Sequence, residues 1–228
     1  MGFIGSSYGY TDYPDLRITM FSCFSDIIKY LREMAFPVFC LGCGKEGERV
    51  CENCYKAIDT RGQSGHHHLA VTPYHEDLLI GKIVRGFKYD FEEDLSVVIE
   101  KLVKEFVEKH LDYFSNTDCV VFVPLHKKRQ AERGFNQSEF IAKAVCQTIN
   151  KPMLKVLARG RNTKHQARLS REERLVNVKD AFVVLRPLTG TILLVDDVYT
   201  TGSTMRECTD ALLKAGADKV FGFSLARG

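Results

Sequence analysis

The most informative part of this chain is the stretch Thr191-Ile-Leu-Leu-Val-Asp-Asp-Val-Tyr-Thr-Thr-Gly-Ser-Thr204. Its continuous apolar run, Ile192 to Val195, is typical of a strand that is buried on both faces. Two aspartates and a hydroxyl-rich loop follow the run, and the segment from Met205 to Ala215 is compatible with a helix. Backbone N–H groups at a helix N-terminus favour a bound anion, so the stretch predicts a phosphate site.

The two aspartates and the loop have separate predicted roles. Asp196 and Asp197 suit either a sugar diol or a phosphate-bound divalent cation. Gly202 allows the backbone to approach a ligand closely, and its Ser and Thr neighbours add hydrogen-bond donors. The loop is not a Walker loop, because it lacks the G-x-x-x-x-G-K-[ST] spacing and its lysine. The alternative interpretation is a buried strand, a capped helix and two solvated carboxylates.

Length and composition indicate a soluble globular protein with one domain and an accessory module. The 228 residues are 45% apolar and 27% charged, with a formal net charge of +3. No segment approaches the roughly 20 apolar residues of a membrane span, and the N-terminus lacks the features of a signal peptide. Residues 1–20 are predicted to form a loose tail.

Four cysteines form two C-x-x-C pairs that are separated by seven residues. Two such turns can bring four thiolates into the tetrahedron of a closed, structural zinc site. The alternatives are two disulfides, which the lack of a secretory signal disfavours, and a redox pair, which would not need a duplicate. The predicted zinc ligands are Cys40, Cys43, Cys51 and Cys54. The tract His66-His67-His68 is interpreted as a solvated loop, with a metal-binding tract as the alternative.

Hydrophobic periodicity predicts strands that alternate with helices, which is typical of a parallel sheet with helices on both faces. The predicted strands are residues 69–74, 119–123, 153–157, 181–185, 192–195 and 219–225. The predicted helices are residues 21–36, about 79–87, 95–107, 137–149 and 205–215. A polar linker at about 59–67 separates a helix and cysteine module, residues 21–60, from a sheet domain, residues 68–228.

Basic side chains crowd the segment that follows the strand at 119–123. They are His126, Lys127, Lys128, Arg129 and Arg133. Ligands of parallel sheets bind at the carboxyl ends of strands, so this basic loop suits a pyrophosphate group opposite the phosphate site; a solvated loop is the alternative. The polar segments at 163–168 and 171–177 are predicted to form either a lid over the ligand or a flexible loop.

Several separated motifs resemble the competence protein F (ComF) family, in that family's order. They are Pro124-Leu-His-Lys-Lys-Arg-Gln-Ala-Glu-Arg-Gly-Phe-Asn-Gln-Ser138, Arg161-Asn-Thr163 with Gln166, Glu173-Arg174 with Asn177-Val178, and Val195-Asp-Asp-Val-Tyr-Thr-Thr-Gly202, all behind the four-cysteine finger. The resemblance runs from about residue 21 to 227. It implies an α/β, parallel-sheet type I phosphoribosyltransferase fold preceded by a small zinc module, in a cytoplasmic bacterial protein that aids natural transformation.

The aspartate loop itself resembles the phosphoribosyl diphosphate (PRPP) motif of type I phosphoribosyltransferases. That resemblance implies that the two aspartates contact the ribose hydroxyls and that the loop holds the 5′-phosphate, with Mg²⁺ accompanying PRPP. The predicted PRPP-binding residues are Asp196, Asp197, Thr200, Thr201, Gly202, Ser203, Thr204, Lys127 and Arg129. In a working transferase, Asp196 and Asp197 would be the catalytic residues.

Three functions are compatible with these motifs. The first is a PRPP-binding protein that aids DNA uptake, with single-stranded DNA and a competence helicase as partners. Its DNA surface would be the basic stretch Lys155 to Arg174, together with Lys127, Lys128 and Arg129. The second is an active phosphoribosyltransferase, a glycosyltransferase with Mg-PRPP as donor and an unidentified acceptor. The third is an interaction protein that kept the fold, and the intact aspartates argue against it.

The enzyme hypothesis is weakened because the sequence does not identify an acceptor substrate. PRPP sites need an acceptor pocket, which is often built by a separate hood of chain. The chain ends three residues after Leu225, so we expect no C-terminal hood. Only residues before about 90 would be able to build one.

Overall fold

The computed structural model describes residues 37–65, 67–89, 93–160 and 181–228. The predicted tail, the helix at 21–36 and the lid at 163–177 lie outside the described residues. Within them the four-cysteine segment comes first and the sheet follows. The boundaries given above for the two domains stay predictions.

Eight strands form two sheets in the described part of the chain. They are β1 (Gln63–Gly65), β2 (His68–Pro73), β3 (Cys119–Phe122), β4 (Met153–Leu154), β5 (Leu157–Arg159), β6 (Phe182–Val184), β7 (Thr191–Tyr199) and β8 (Lys219–Arg227). The larger sheet has the order β1-β2-β8-β7-β3-β4. Its pairings are parallel except for the antiparallel pair β1–β2, and β5 pairs with β6 separately. This arrangement confirms the predicted α/β class with a mostly parallel sheet, preceded by the four-cysteine segment.

Helices cover both faces of the larger sheet. They are α1 (Glu52–Lys56), α2 (Leu79–Tyr89), α3 (Glu93–Lys109), α4 (Leu111–Phe114), α5 (Lys127–Arg133), α6 (Gln137–Ile149) and α7 (Ser203–Lys214). One core lies between the sheet and α2, α3 and α6, and the other lies between the sheet, α7 and the β5–β6 pair. No helix among the described residues is both long and apolar enough to span a membrane.

The central strand β7 shows why its apolar run is continuous. Side chains alternate between the two faces of a strand. Leu193 and Val195 belong to the first core, whereas Ile192 and Leu194 belong to the second. All four side chains are fully buried, so each face of the strand requires apolar residues.

Several boundaries differ from the sequence-based ones, and three of these differences bear on the site. Strand β7 does not stop before the aspartates but continues to Tyr199, because the paired strand β8 extends alongside it to Arg227. The predicted strand at 153–157 is divided between β4 and β5, which lie in different sheets. The basic segment after β3 is the helix α5 and not a loop; His126 Nδ1 accepts a hydrogen bond from Lys128 N (3.2 Å), and Gly134 ends the helix in a left-handed conformation.

The interpretation of the histidine tract as a solvated loop is wrong for His68. His68 lies in β2 and is 4% exposed, because β2 is an inner strand whose faces are both covered. Its ring stacks on Tyr199 with 4.1 Å between ring centroids. Burial, and next the charge of Arg227, lower the pKa of His68 to about 4, so the ring is neutral at physiological pH. His66 lies outside the described residues.

The four-cysteine segment packs on the first core. Val50 is buried in that core. Tyr55 Oη donates a hydrogen bond to Glu105 Oε2 of α3 (2.9 Å), and Lys82 Nζ of α2 donates to Leu41 O (3.0 Å). The segment is therefore attached to both α2 and α3.

Candidate functional site

The carboxyl ends of β3 and β7 open into a cleft of about 240 Å³. Parallel strands present their carboxyl ends at one edge of a sheet, which is where such folds bind ligands. Of the predicted PRPP-binding residues, those that line the cleft are Asp196, Asp197, Thr200, Thr201, Gly202, Ser203, Thr204 and Arg129. Lys127 is exposed and is not among the lining residues.

The loop after β7 forms a tight turn at the start of α7. Gly202 has φ +73°, and a Cβ atom there would collide with the hydroxyl of Tyr199, so glycine is required at this position. Gly202 is the N-cap residue of α7, and as a glycine it offers no side-chain acceptor to the first N–H groups of the helix. Thr201 Oγ1 and Ser203 Oγ are 2.9 Å apart. The N–H groups of a first helical turn, together with nearby hydroxyls, are the groups that bind a phosphate.

Asp196 is held by the start of α6. Its Oδ1 accepts hydrogen bonds from Ser138 Oγ and from the backbone N–H of Asp197, each at 2.9 Å. Ser138 is positioned by Asn136, whose side chain accepts from Ser138 N and donates to Val123 O, both at 3.0 Å. Burial, and next the charge of Asp197, raise the pKa of the Asp196 carboxyl to about 7.

Asp197 has a different partner. Its Oδ2 lies 2.5 Å from Nζ of Lys88, and the two side chains are 18% and 20% exposed. Its Oδ1 accepts a hydrogen bond from Val198 N (2.6 Å). Sequence analysis missed Lys88, because nothing in the spacing of an amphipathic helix links its last turn to a strand more than a hundred residues later.

Three arginines also line the cleft. Arg129, Arg133 and Arg159 line the cleft, and Arg129 is only 9% exposed. Burial, and next the positive charge of Arg129, lower the pKa of Arg159 to about 10, which indicates that the two guanidinium groups are close. Planar guanidinium groups suit phosphate oxygens. The sequence singled out Arg159 only as one of many basic residues.

The remaining wall comes from the turn after β2. Tyr74 and Glu76 line the cleft beside Lys88. Tyr74 N donates a hydrogen bond to Arg227 O (2.6 Å), which ties the turn to the end of β8. A Cβ atom at Gly81 of α2 would collide with the backbone carbonyl groups of His75 and Glu76, so this helix and this turn are in direct backbone contact.

The four predicted zinc ligands converge. The sulfur atoms of Cys40, Cys43, Cys51 and Cys54 lie within 4.8 Å of one another. Sγ of Cys51 lies 3.7 Å from Sγ of both Cys40 and Cys43. A tetrahedron with Zn–S bonds of about 2.3 Å has sulfur separations of roughly 3.8 Å, whereas a disulfide bond is about 2.05 Å long. The cluster can therefore hold a metal ion.

The electrostatics of the cluster favour a bound cation. Although burial would raise it, backbone hydrogen bonds led by that from Cys51 lower the pKa of the Cys40 thiol to about 6. The hydrogen bond to Cys51, and then burial, raise the pKa of Cys54 to about 12. Deprotonation of all four thiols is therefore unfavourable unless a cation lies between the sulfur atoms. A Cβ atom at Gly42 would lie 2.7 Å from Cys54 Sγ, so the backbone of the first C-x-x-C turn is in direct contact with the cluster.

The raised pKa of Asp196 predicts a pH-dependent stability. The folded state holds the Asp196 proton more tightly than the unfolded chain, whose carboxyl has its ordinary pKa of 3.8. The stability that this group contributes is therefore lost as the pH rises from about 4 to about 7. We expect Asp196→Asn to raise the free energy of unfolding relative to wild type at pH 8, and the gain to shrink towards pH 4.5.

Urea denaturation of both proteins at the two pH values measures this difference. Asp210→Asn is the matched control, since it removes the same charge from an exposed position on α7. A gain from Asp196→Asn that is equal at both pH values would contradict the assigned direction of the shift.

Several named bacterial proteins are similar to this chain in amino-acid sequence. This chain is 28% identical to Competence protein F of Haemophilus influenzae over 200 residues, covering 85% of this chain and 86% of that protein. It is also 28% identical to Competence protein ComFC of Streptococcus pneumoniae, covering 79% and 82%. It is 38% identical to DNA utilization protein YhgH of Salmonella typhimurium over 149 residues, covering 64% and 66%. No family model matches the chain.

Among solved structures, the chain is similar to an adenine phosphoribosyltransferase from Leishmania tarentolae. The similarity covers 73% of this chain and 94% of that one, with a TM-score of 0.39 and 9% sequence identity.

Proposed function

Because the chain belongs to the competence protein F family, we propose that it is a cytoplasmic PRPP-binding protein that aids DNA uptake during natural transformation. The observation that carries the proposal is the composition of the cleft. A glycine turn at a helix start, two adjacent carboxylates and a buried arginine line the same space. These groups match, in type and number, the phosphate, sugar and pyrophosphate parts of PRPP.

Each part of the ligand has a candidate set of partners. The 5′-phosphate would accept hydrogen bonds from the loop Thr200–Thr204 and from the first turn of α7. The ribose hydroxyls would donate to Asp196 and Asp197. The pyrophosphate would lie against Arg129 and Arg159, and Mg²⁺ would accompany it. Lys127 keeps its predicted contact with the pyrophosphate only if the ligand reaches out of the cleft, since its side chain is exposed.

A second candidate function is an active phosphoribosyltransferase. The observation that favours it is the wall formed by Tyr74 and Glu76, which lies in the part of the chain where an acceptor pocket was predicted. A nucleophile held there would form a bond to C1′ of PRPP while the C1′–O bond to pyrophosphate breaks. The arginines would stabilise the negative charge that develops on the leaving pyrophosphate.

Calorimetric titration of the full chain with PRPP, with and without Mg²⁺, tests the first proposal. We expect saturable binding of PRPP, with a higher affinity when Mg²⁺ is present. The absence of binding both with and without Mg²⁺ would overturn the proposal of a PRPP-binding protein. Pyrophosphate release in the presence of nucleobases or single-stranded DNA then tests the second. Binding without release for every acceptor would favour the binding protein over the transferase.

We propose that exposed cations carry single-stranded DNA outside the cleft. Lys127, Lys128 and Lys155 are exposed, whereas Arg129 is buried in the cleft wall. The rest of the predicted surface, at 161–174, lies outside the described residues. A competence helicase is the proposed protein partner, on the strength of the family alone.

For DNA, the expected result is a steep loss of affinity with salt and little sequence preference, because cations that contact phosphates release counterions. Reversing the charge of Arg161 and Arg168 should lower the affinity and flatten its salt slope. Anisotropy titrations of one labelled oligonucleotide at several salt concentrations measure both. Lys143→Glu on α6 together with Lys214→Glu on α7, both at exposed positions, is the control for net charge. Equal slopes for wild type and the double arginine variant would locate the DNA surface elsewhere.

A further inference from the structure

Lys88 lines the cleft but has no contact with PRPP in the proposed function. Its ammonium group forms an ion pair with Asp197 at 2.5 Å, in a position where both side chains are about four-fifths buried. It belongs to the last turn of α2 and lines the cleft together with the phosphate loop. The charge of one carboxylate is therefore already balanced before any ligand arrives.

The carboxylate oxygens of the pair are largely engaged. Asp197 Oδ2 contacts Lys88, and Asp197 Oδ1 accepts from Val198 N. Asp196 Oδ1 accepts from both Ser138 and the Asp197 backbone. Three of the four oxygens thus have a partner in the described part of the chain.

A divalent cation and a sugar diol make different demands on such a pair. Mg²⁺ and Mn²⁺ need carboxylate oxygens with uncompensated negative charge, and the Lys88 ammonium group would repel a cation placed beside it. A sugar hydroxyl is neutral, and it can donate to the second lone pair of an oxygen that already accepts one hydrogen bond. The lysine therefore weakens the binding of a cation to the aspartate pair, whereas a diol is still able to bind there.

We propose that Lys88 is a specificity-determining residue, whose ammonium group keeps divalent cations off the aspartate pair so that the pair accepts hydrogen bonds from a sugar diol. The inference about the diol rests on the proposed function; the exclusion of cations does not. In the sequence, Asp196 and Asp197 suit both ligands. Lys88 removes one of these alternatives and leaves the pyrophosphate as the place for Mg²⁺.

The first experiment uses Mn²⁺ alone, followed by the paramagnetic resonance signal of the free ion. We expect wild type to bind Mn²⁺ weakly, and Lys88→Met to bind at least about tenfold more tightly, since a neighbouring like charge alters affinity by that order. This gain in Mn²⁺ affinity should vanish when Asp196→Asn and Asp197→Asn are added to Lys88→Met. The triple variant therefore distinguishes Mn²⁺ bound at the aspartate pair from Mn²⁺ bound at the cysteine cluster. Lys88→Arg keeps the charge and should behave as wild type.

Lys143→Met is the matched control, because it removes the same charge from the exposed face of α6. Wild-type Mn²⁺ binding that is as tight as that of Lys88→Met and is lost in the double asparagine variant would overturn the proposal. So would a folded Lys88→Met variant without the gain, or a Lys88→Arg variant with it. If Lys88→Met does not fold, Lys88→Gln replaces it with the same expected gain.

A second experiment compares ribose 5-phosphate with 2-deoxyribose 5-phosphate as competitors of PRPP. We expect wild type to prefer the ribose compound, and Lys88→Met to lose part of this preference. Failure of all three compounds to bind would contradict the proposed function, while the Mn²⁺ result would still decide whether Lys88 excludes cations. Equal binding of the two sugar phosphates to wild type would overturn the assignment of the diol to the pair.

Discussion

Replacing both aspartates of the cleft, Asp196→Asn with Asp197→Asn, is expected to lower the affinity for PRPP about a hundredfold. A hydrogen bond to a charged group contributes roughly 1.5–3 kcal/mol, which is about tenfold or more for each carboxylate. The loss should be the same for PRPP with and without Mg²⁺ if the pair contacts the ribose, because the metal then lies on the pyrophosphate.

Calorimetry on the double variant and on Asp210→Asn measures this effect. Asp210 is exposed on α7, so its variant makes the same chemical change outside the cleft and should bind as wild type does. Circular dichroism checks that the double variant is folded. An unchanged affinity in a folded double variant would remove the aspartates from the PRPP site.

Cys51→Ser is expected to abolish zinc binding and to unfold the segment from residue 37 to about 58. Cys51 Sγ is the sulfur that lies 3.7 Å from two others, so its loss opens the centre of the cluster. In small zinc modules the free energy of metal binding is the free energy of folding. The packing of Val50 and Tyr55 on the first core should be lost with it.

Elemental analysis and hydrogen exchange measure the two consequences. We expect about one zinc per chain in the native protein and none in Cys51→Ser, with amide protection lost first around the cluster. Cys146→Ser, which changes a thiol outside the cluster, is the control. Native protein that contains no zinc would contradict the assignment of the metal, and a zinc-free variant with unchanged protection would contradict its structural role.

The parts of the fold that sequence predicts well are those with a local cause. The run Ile192 to Val195 is buried on both faces, as its composition indicates. The helix at 137–149 has the predicted bounds, because Asn136 caps its start and Asn150, in a left-handed conformation, ends it. The two C-x-x-C turns bring four sulfurs together, as their spacing predicts.

The parts that sequence missed have a tertiary cause. Lys88 and Arg159 reach the cleft only because α2 and β5 are packed where they are. Burial of His68 depends on the inner position of β2 in the strand order. The extension of β7 through the aspartates depends on the length of its neighbour β8. None of these arrangements is visible in the spacing of residues along the chain.

Helix α2 supports two distant parts of the molecule at once. Near its start, Lys82 holds the backbone of the cysteine segment at Leu41, and in its last turn Lys88 holds Asp197. Thermodynamic linkage follows from this shared support, because a free-energy coupling between two sites is reciprocal. If loss of zinc weakens PRPP binding, PRPP must strengthen zinc binding by an equal free energy. The zinc affinity measured at equilibrium against a competing chelator would then report ligand occupancy of the cleft without any assay of chemistry.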